Sequence, residues 1–177
     1  MKGSSVAIRY ATSLLEMALE KENLDQVAND MAYMYQTAEE NDELVSLFKS
    51  PIVDASKKLE IIKQIFDQFE GLTMEFVELV VKNQREDHLK DISGTFGDLV
   101  KAHKGIVPVE LVTATKLDDA TRKNILAKVE ASVSGTLEVS EVIDPEIIGG
   151  FVVRMGDRRI DASVSSQFNK LKQTLTH

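Results

Sequence analysis

The chain has no cysteine and no tryptophan among its 177 residues. Without thiols, disulfides, thiolate nucleophiles and cysteine metal sites are excluded together; a reducing cytoplasm fits, although zero cysteines are compatible with any compartment. No run of 18 apolar residues occurs, so no segment reads as a membrane-spanning helix. The opening stretch, MKGSSVAIRYATSLLEMALEKE, has one early cation at Lys2 and breaks its apolar run with Arg9 and Glu16. That pattern is not a signal peptide. The three histidines, His88, His103 and His177, stand at no ligand spacing and read as surface residues. No serine sits in a Gly-x-Ser-x-Gly elbow. Acidic pairs such as Glu39-Glu40 and Asp118-Asp119 read as helix-end and solvated charges. No catalytic, cofactor-binding or metal-ligating constellation is found.

Hydrophobic residues supply 43% of the chain and charged ones 28%, enough apolar material for a packed core in one ordinary domain or two small ones. The net charge of −8 is uneven. Residues 1–105 hold 12 basic against 19 acidic side chains, whereas residues 154–177 hold five against two. An acidic first half opposes binding to nucleic acid, which needs clustered positive charge. The arginines at 154, 158 and 159 also lack interleaved aromatics.

Residues 1–105 read as six consecutive amphipathic helices. In the first, over 5–21, Val6, Tyr10, Leu14 and Met17 recur at helical spacing, with Ala7, Ala11, Leu15 and Ala18 widening the stripe. The second carries Leu24, Val27, Met31, Tyr35 and Ala38 on one face. A short third helix, capped by Asn41 or Asp42, bears Leu44, Val45, Leu47 and Phe48 and ends at Ser50-Pro51. Asp54 caps the fourth, with Leu59, Ile62, Ile65, Phe66 and Phe69 apolar, and Gly71 punctuates. The fifth is apolar nearly all round, at Met74, Phe76, Val77, Leu79, Val80 and Val81. The sixth keeps Leu89, Ile92, Phe96, Leu99 and Val100 together, with Gly94 and Gly97 permitting close helix packing.

At Gly105 the pattern changes. IVPVELVTATKL alternates as a strand, with Val107, Val109, Leu111 and Thr113 on one face. Asp118-Asp119 opens a helix whose Ile125, Val129 and Val133 repeat at spacing four, and Gly135 closes it. TLEVSEVID is a second strand. In DPEIIGGFVVRMGDRRIDAS, the glycines precede a strand rather than a helix, so a phosphate-binding loop is not formed. Gly156-Asp157 instead predicts a two-residue hairpin turn that sets Met155 opposite Arg158, Arg154 opposite Arg159, Val153 opposite Ile160, Val152 opposite Asp161 and Phe151 opposite Ala162. Phe151, Val153, Ile160 and Ala162 form its packing face. The Arg154–Arg159 pair is unfavourable by about 0.2–1 kcal/mol, which the diagonal Asp161 or a carboxylate from elsewhere would relieve. A last helix places Val164, Phe168, Leu171 and Leu175 on one side. The fold class is therefore α+β: an N-terminal six-helix bundle over 1–105, then a small α/β domain over 106–177 with a short sheet, a hairpin and two helices.

Val139 to Leu175 resembles the signature of the delta subunit of F-type ATP synthase, whose mitochondrial member is the oligomycin-sensitivity-conferral protein. The matching elements are Asp144-Pro145, Gly149-Gly150, Gly156-Asp157 and Asp161-Ala162-Ser163, followed by an amphipathic helix. RYATSLLEMA from Arg9 and EFVELVVKNQRED from Glu75 are similar to the family's first- and fifth-helix patterns, and SPIVDASKKLEII to its link into the fourth helix. Two departures are TATKL after the first strand, where Ala-Pro-Leu is frequent, and Gln84 where Gly is common.

The resemblance implies a non-catalytic stator subunit that ties the α/β catalytic head to the peripheral stalk and resists rotor torque during proton-driven ATP synthesis. It implies that residues 1–105 meet the head and 106–177 the stalk. The N-terminal helix of an α subunit would lie between the first and fifth helices, on Tyr10, Ser13, Leu14, Met17, Phe76, Leu79, Val80 and Asn83. Some of these apolar residues are equally suited to the bundle core. The C-terminal region of the b subunit would meet Val164, Phe168, Leu171 and Leu175, a helix face equally suited to packing on its own sheet. No cofactor and no nucleic acid is implied, and the membrane is reached only through the complex. The absence of a presequence points to a bacterial protein at the cytoplasmic face of the plasma membrane. A nucleic-acid-binding helical protein and an enzyme are the rival readings.

Overall fold

A computed structural model describes residues 4–115, 117–131, 133, 135–145, 147–156, 158–164 and 166. The chain divides into two compact units, Met1–Lys101 and Ala102–His177. Among the described residues there are seven α-helices and a four-stranded mixed sheet, an α+β fold.

The first unit contains α1 (Ser5–Glu20), α2 (Leu24–Glu40), α3 (Asp42–Lys49), α4 (Ala55–Ile65), α5 (Gly71–Lys82) and α6 (Leu89–His103), with a 3-10 turn over Glu86–His88. Ser4 caps α1 by accepting a hydrogen bond from the Ala7 amide at 3.1 Å. The buried line of α1 runs through Ala7, Ala11, Leu14 and Ala18, while Val6, Tyr10 and Met17 are only half-buried. Small side chains let the neighbouring helices approach closely, which displaces the larger ones to the flanks. On α2 the inward position is Met34; Tyr35 is turned to the surface. On α4 Ile62 is buried and Ile65 exposed. Phe66 and Phe69 follow the helix rather than ending it, and their rings stack at 4.7 Å between centroids.

Gly71 is the first residue of α5 rather than a break before it. Glu70 is the cap: its carboxylate accepts from the Leu72 amide at 2.7 Å and from Asn23 Nδ2 at 2.9 Å, while its own amide donates to Asp30. One glutamate thereby ties the start of α5 to α2 and to the turn before it. Lys58 on α4 is 4% exposed, and its ammonium donates to the Phe48 carbonyl at 3.0 Å and to Glu86 at 2.7 Å. This buried pair fixes the end of α3 and the 3-10 turn against α4.

The second unit contains β1 (Ile106–Thr113), α7 (Asp119–Glu130), β2 (Thr136–Ile143), β3 (Phe151–Met155) and β4 (Arg158–Asp161), in the sheet order β2-β1-β3-β4. β1 and β2 are parallel, so α7 is the crossover between them; β3 and β4 run antiparallel to their neighbours. Asp118 caps α7 by accepting from the Thr121 amide at 2.8 Å. Ile125 and Val129 of α7 share a core with Val109, Leu111, Val153 and Met155. The opposite face of the sheet buries Val112 and Val152. Cross-strand partners at β3–β4 are Val152–Asp161, Val153–Ile160, Arg154–Arg159 and Met155–Arg158, the register that a two-residue turn imposes. Gly156 has φ +53° there, a conformation glycine adopts without strain. Ile160 stands opposite Val153 as expected, but on the edge strand β4 it is 44% exposed rather than buried.

Candidate functional site

α1 and α5 run antiparallel and side by side. Lys21, just after α1, lies 3.8 Å from Glu75 near the start of α5, whereas Tyr10 in the first half of α1 meets Asn83 at the end of α5. Asn83 Nδ2 donates to Tyr10 Oη at 3.3 Å, and the Tyr10 ring stands edge-on to Phe76 with centroids 6.3 Å apart. The Arg9 guanidinium sits 5.7 Å from the Tyr10 ring centroid, within cation–π range.

The eight residues expected at this place divide by burial. Leu14, Phe76 and Val80 are core residues. Tyr10 and Met17 are half-buried, and Ser13, Leu79 and Asn83 are exposed. Stripes at i, i+3, i+4 and i+7 locate a helix face but not its depth; only the neighbouring helices decide which members stay accessible. Leu79 stands 46% exposed on α5, one of several large apolar side chains exposed among the described residues.

Leu79 also lines a cavity of about 500 Å³ between α4 and α5, with Ala55, Leu59 and Val81 making its apolar wall and Glu75, Glu78 and Lys82 its rim. Periodicity could not have found the α4 contribution, because Ala55 and Leu59 become neighbours of α5 only through packing. Lys63 reaches across from α4 to Glu78 at 2.6 Å. The acidic residues along α5 are therefore matched, Glu75 with Lys21 and Glu78 with Lys63.

The turn after α5 keeps Asn83 in place. The Gln84 amide bonds to the Val81 carbonyl and the Arg85 amide to the Val80 carbonyl, a Schellman closure with Gln84 at φ +56°. This is the position where glycine was expected, and glutamine holds the same left-handed backbone.

In the second unit the paired arginines have carboxylate partners. Arg154 Nη1 bonds to Glu110 on β1 at 2.9 Å, and Arg159 Nη2 to Asp161 at 2.9 Å. Asp161 thus relieves Arg159 rather than Arg154, and Glu110, directly across from Arg154 in the sheet, does the other half. Asp161 also accepts from the Ser163 hydroxyl at 2.6 Å and the Ser163 amide at 3.0 Å. Those bonds, then the Arg159 guanidinium, hold its carboxyl below the usual carboxylate range. Ser163 Oγ in turn accepts from the Ser166 amide. Val164 is exposed; Phe168, Leu171 and Leu175 lie outside the described residues. Among the described residues no three His, Asp or Glu side chains gather as metal ligands, and no helix is long and apolar enough to cross a membrane.

Residues 6–175 match the family model described as ATP synthase delta (OSCP) subunit. The ATP synthase subunit delta of Cytophaga hutchinsonii is 37% identical over 177 residues, spanning 99% of this chain and 97% of that one. That of Nitratidesulfovibrio vulgaris is 33% identical over 179 residues, spanning 99% and 98%. A chain of the cryo-EM structure of the Toxoplasma gondii mitochondrial ATP synthase hexamer has the same fold, with a TM-score of 0.76 at 22% identity over 98% of this chain and 99% of that chain.

Proposed function

The chain belongs to the ATP synthase delta (OSCP) subunit family, and from that premise we propose how its two units share the work. The subunit is a non-catalytic part of the peripheral stalk of an F-type ATP synthase. The six helices of the first unit act as a bundle, residues 1–105, that grips the catalytic head. The surface between α1 and α5 takes the N-terminal helix of an α subunit. The α/β unit, residues 106–177, takes the C-terminal region of the stalk b subunit, with Val164, Phe168, Leu171 and Leu175 as the residues that meet it. The complex holds the subunit at the cytoplasmic face of a bacterial plasma membrane.

The observation that supports this reading is the Tyr10 contact with Phe76 and Asn83, which sets α1 against α5 while Tyr10 and Met17 stay half-buried on α1 and Leu79 is exposed on α5. An incoming amphipathic helix would cover Tyr10, Met17 and Leu79. Full burial is worth about 1.5–3 kcal/mol per side chain, and because all three are already partly buried the docked helix gains only part of that from each, against an association cost of about 4–15 kcal/mol. One contact alone is therefore modest. Attachment to head and stalk by the same chain makes each contact effectively intramolecular once the other has formed, and that is what resists torque.

The test is calorimetric titration of the full chain with the N-terminal peptide of the α subunit from the same complex. Saturable one-to-one binding that Leu79→Glu abolishes is expected. Binding that survives Leu79→Glu unchanged would move the docking surface away from α5.

A further inference from the structure

We infer that β2 takes on a fifth strand: an extended segment of another subunit of the complex pairs with its outer edge. This rests on the chain's membership in a multisubunit complex and on neither docking surface proposed above. In the sheet order β2-β1-β3-β4 the two edges are β2 and β4. β4 has the marks of a protected edge, being four residues long with Arg158 and Arg159 side by side. β2 has none of them. It runs for eight residues in unbroken register with β1, Thr136 to Ile143, and contains no proline, glycine, lysine or arginine.

Hydrogen bonds fix which backbone groups of β2 face outward. The Thr136 amide donates to the Gly105 carbonyl at 3.0 Å and the Asp144 amide to the Thr113 carbonyl at 2.8 Å. Alternate residues of a strand address the same neighbour, so Thr136, Glu138, Ser140 and Val142 bond to β1. Leu137, Val139, Glu141 and Ile143 therefore turn their N–H and C=O groups the other way, where no strand lies among the described residues. Val142 and Ile143 are also 40% and 58% exposed there, one on each face. A row of such groups is met in full by another extended chain, whereas a helix bonds its own N–H and C=O groups internally.

Side chains define the occupant. Leu137 and Val139 pack toward α7, so apolar side chains of the added strand fit beside them, and polar ones fit beside Thr136 and Ser140 on the opposite face. β2 carries Glu138 and Glu141 and no base, with Arg122 of α7 meeting Glu141. A second copy of the chain would bring one acidic strand against another. A segment with Lys or Arg among its polar positions complements the strand instead, so the occupant alternates apolar with polar and basic residues.

The experiment compares amide hydrogen exchange across residues 136–144 in the isolated full chain and in the assembled ATP synthase, read by mass spectrometry. In the isolated chain the Leu137, Val139, Glu141 and Ile143 amides are expected to exchange freely. In the complex they should slow by about 100-fold or more, as newly bonded ladder amides do. Glu141→Pro removes one outward N–H and leaves the bonds to β1 in place, a position where an edge strand accepts proline. Once assembled, that variant should lose the slowing at Val139 and Ile143. Equal exchange of the four amides in both states overturns the inference. Slowing in the isolated chain that grows with its concentration also overturns it, by making the occupant a second copy. Slowing in the complex that Glu141→Pro leaves unchanged overturns it too, because the edge is then covered without strand pairing. The comparison of the native chain decides the matter even if the variant does not fold.

Discussion

Gly150 lies directly beneath the carbonyl of Ala162: a Cβ on Gly150 would stand 2.4 Å from that oxygen and 2.9 Å from the Ser163 Cα. Its φ of +80° is itself one that side chains resist. The two ends of the hairpin can close only because nothing projects from residue 150. Gly150→Ala is expected to destabilise the second unit by about 2–5 kcal/mol, combining left-handed strain with overpacking. Denaturant unfolding followed by β-sheet circular dichroism measures it. A loss under about 1 kcal/mol would mean that the loop relaxes around the methyl group.

Gln84 offers the opposite change. Its φ of +56° is held by a residue with a Cβ, and the side chain is exposed. Gln84→Gly should raise stability by about 0.5–1 kcal/mol, because relief of left-handed strain exceeds the entropy glycine gains when unfolded. The melting temperature of the helical unit is the readout, and a decrease would show that the glutamine side chain contributes more than its strain costs.

Leu14 and Leu79 separate stability from docking. Leu14 is fully buried, so Leu14→Ala should cost about 2–5 kcal/mol of stability. Leu79→Ala should change stability by no more than about 0.5 kcal/mol while weakening peptide binding severalfold. Equal loss of stability in both variants would make Leu79 a core residue in solution.

The buried Lys58–Glu86 pair is sensitive to losing one member. Lys58→Met strands the Glu86 carboxylate and leaves the Phe48 carbonyl without its donor, at an expected cost of about 3–5 kcal/mol. Glu86→Gln in the same background should recover part of that loss by removing the unpaired charge. Equilibrium denaturation of the single and double variants tests this, and no recovery would assign the loss to packing.

Asp161 makes a pH prediction. Its carboxyl is held below the usual range, first by the Ser163 bonds and then by Arg159, so folding favours its ionised form. The sign follows from linkage: the stabilisation is present above the ordinary aspartate value and is lost as pH falls through the lowered one. Ser163→Ala should move the Asp161 midpoint back upward in an NMR titration. An unchanged midpoint would show that Ser163 does not hold the carboxylate in solution.

Much of this fold is legible in the residues. Helix positions follow from spacing, and the hairpin register from a two-residue turn, which leaves no freedom to slip. What is not legible depends on neighbours far along the chain. The apolar stripe of α1 is broad, and the choice of Ala7, Ala11 and Ala18 as its buried line, with Val6, Tyr10 and Met17 on the flanks, belongs to close helix packing. Lys58 reads as a surface lysine until Phe48 and Glu86 are seen beside it. The sequence left Asp161 or a carboxylate from elsewhere as the partner of Arg154, and only packing shows that it is Glu110, 44 residues away in the chain. At the candidate site the two helices were identifiable, whereas the accessible subset and the α4 wall of the cavity were not.

The central position of β1 has a consequence for biosynthesis. β1 is the first strand of its unit to be made, yet it lies between β2 and β3 and needs both to satisfy its backbone. Translation at about 5–20 residues per second leaves several seconds between completing Thr113 and reaching Asp161. Until β2 is complete at Ile143, a strand carrying Val109, Leu111 and Val112 has neither edge paired, and until β3 is complete at Met155 it has only one. The helical unit, made earlier and built from contacts nearer in sequence, is suited to fold meanwhile. The nascent chain is therefore most exposed to aggregation and chaperone capture while the sheet waits for its later strands.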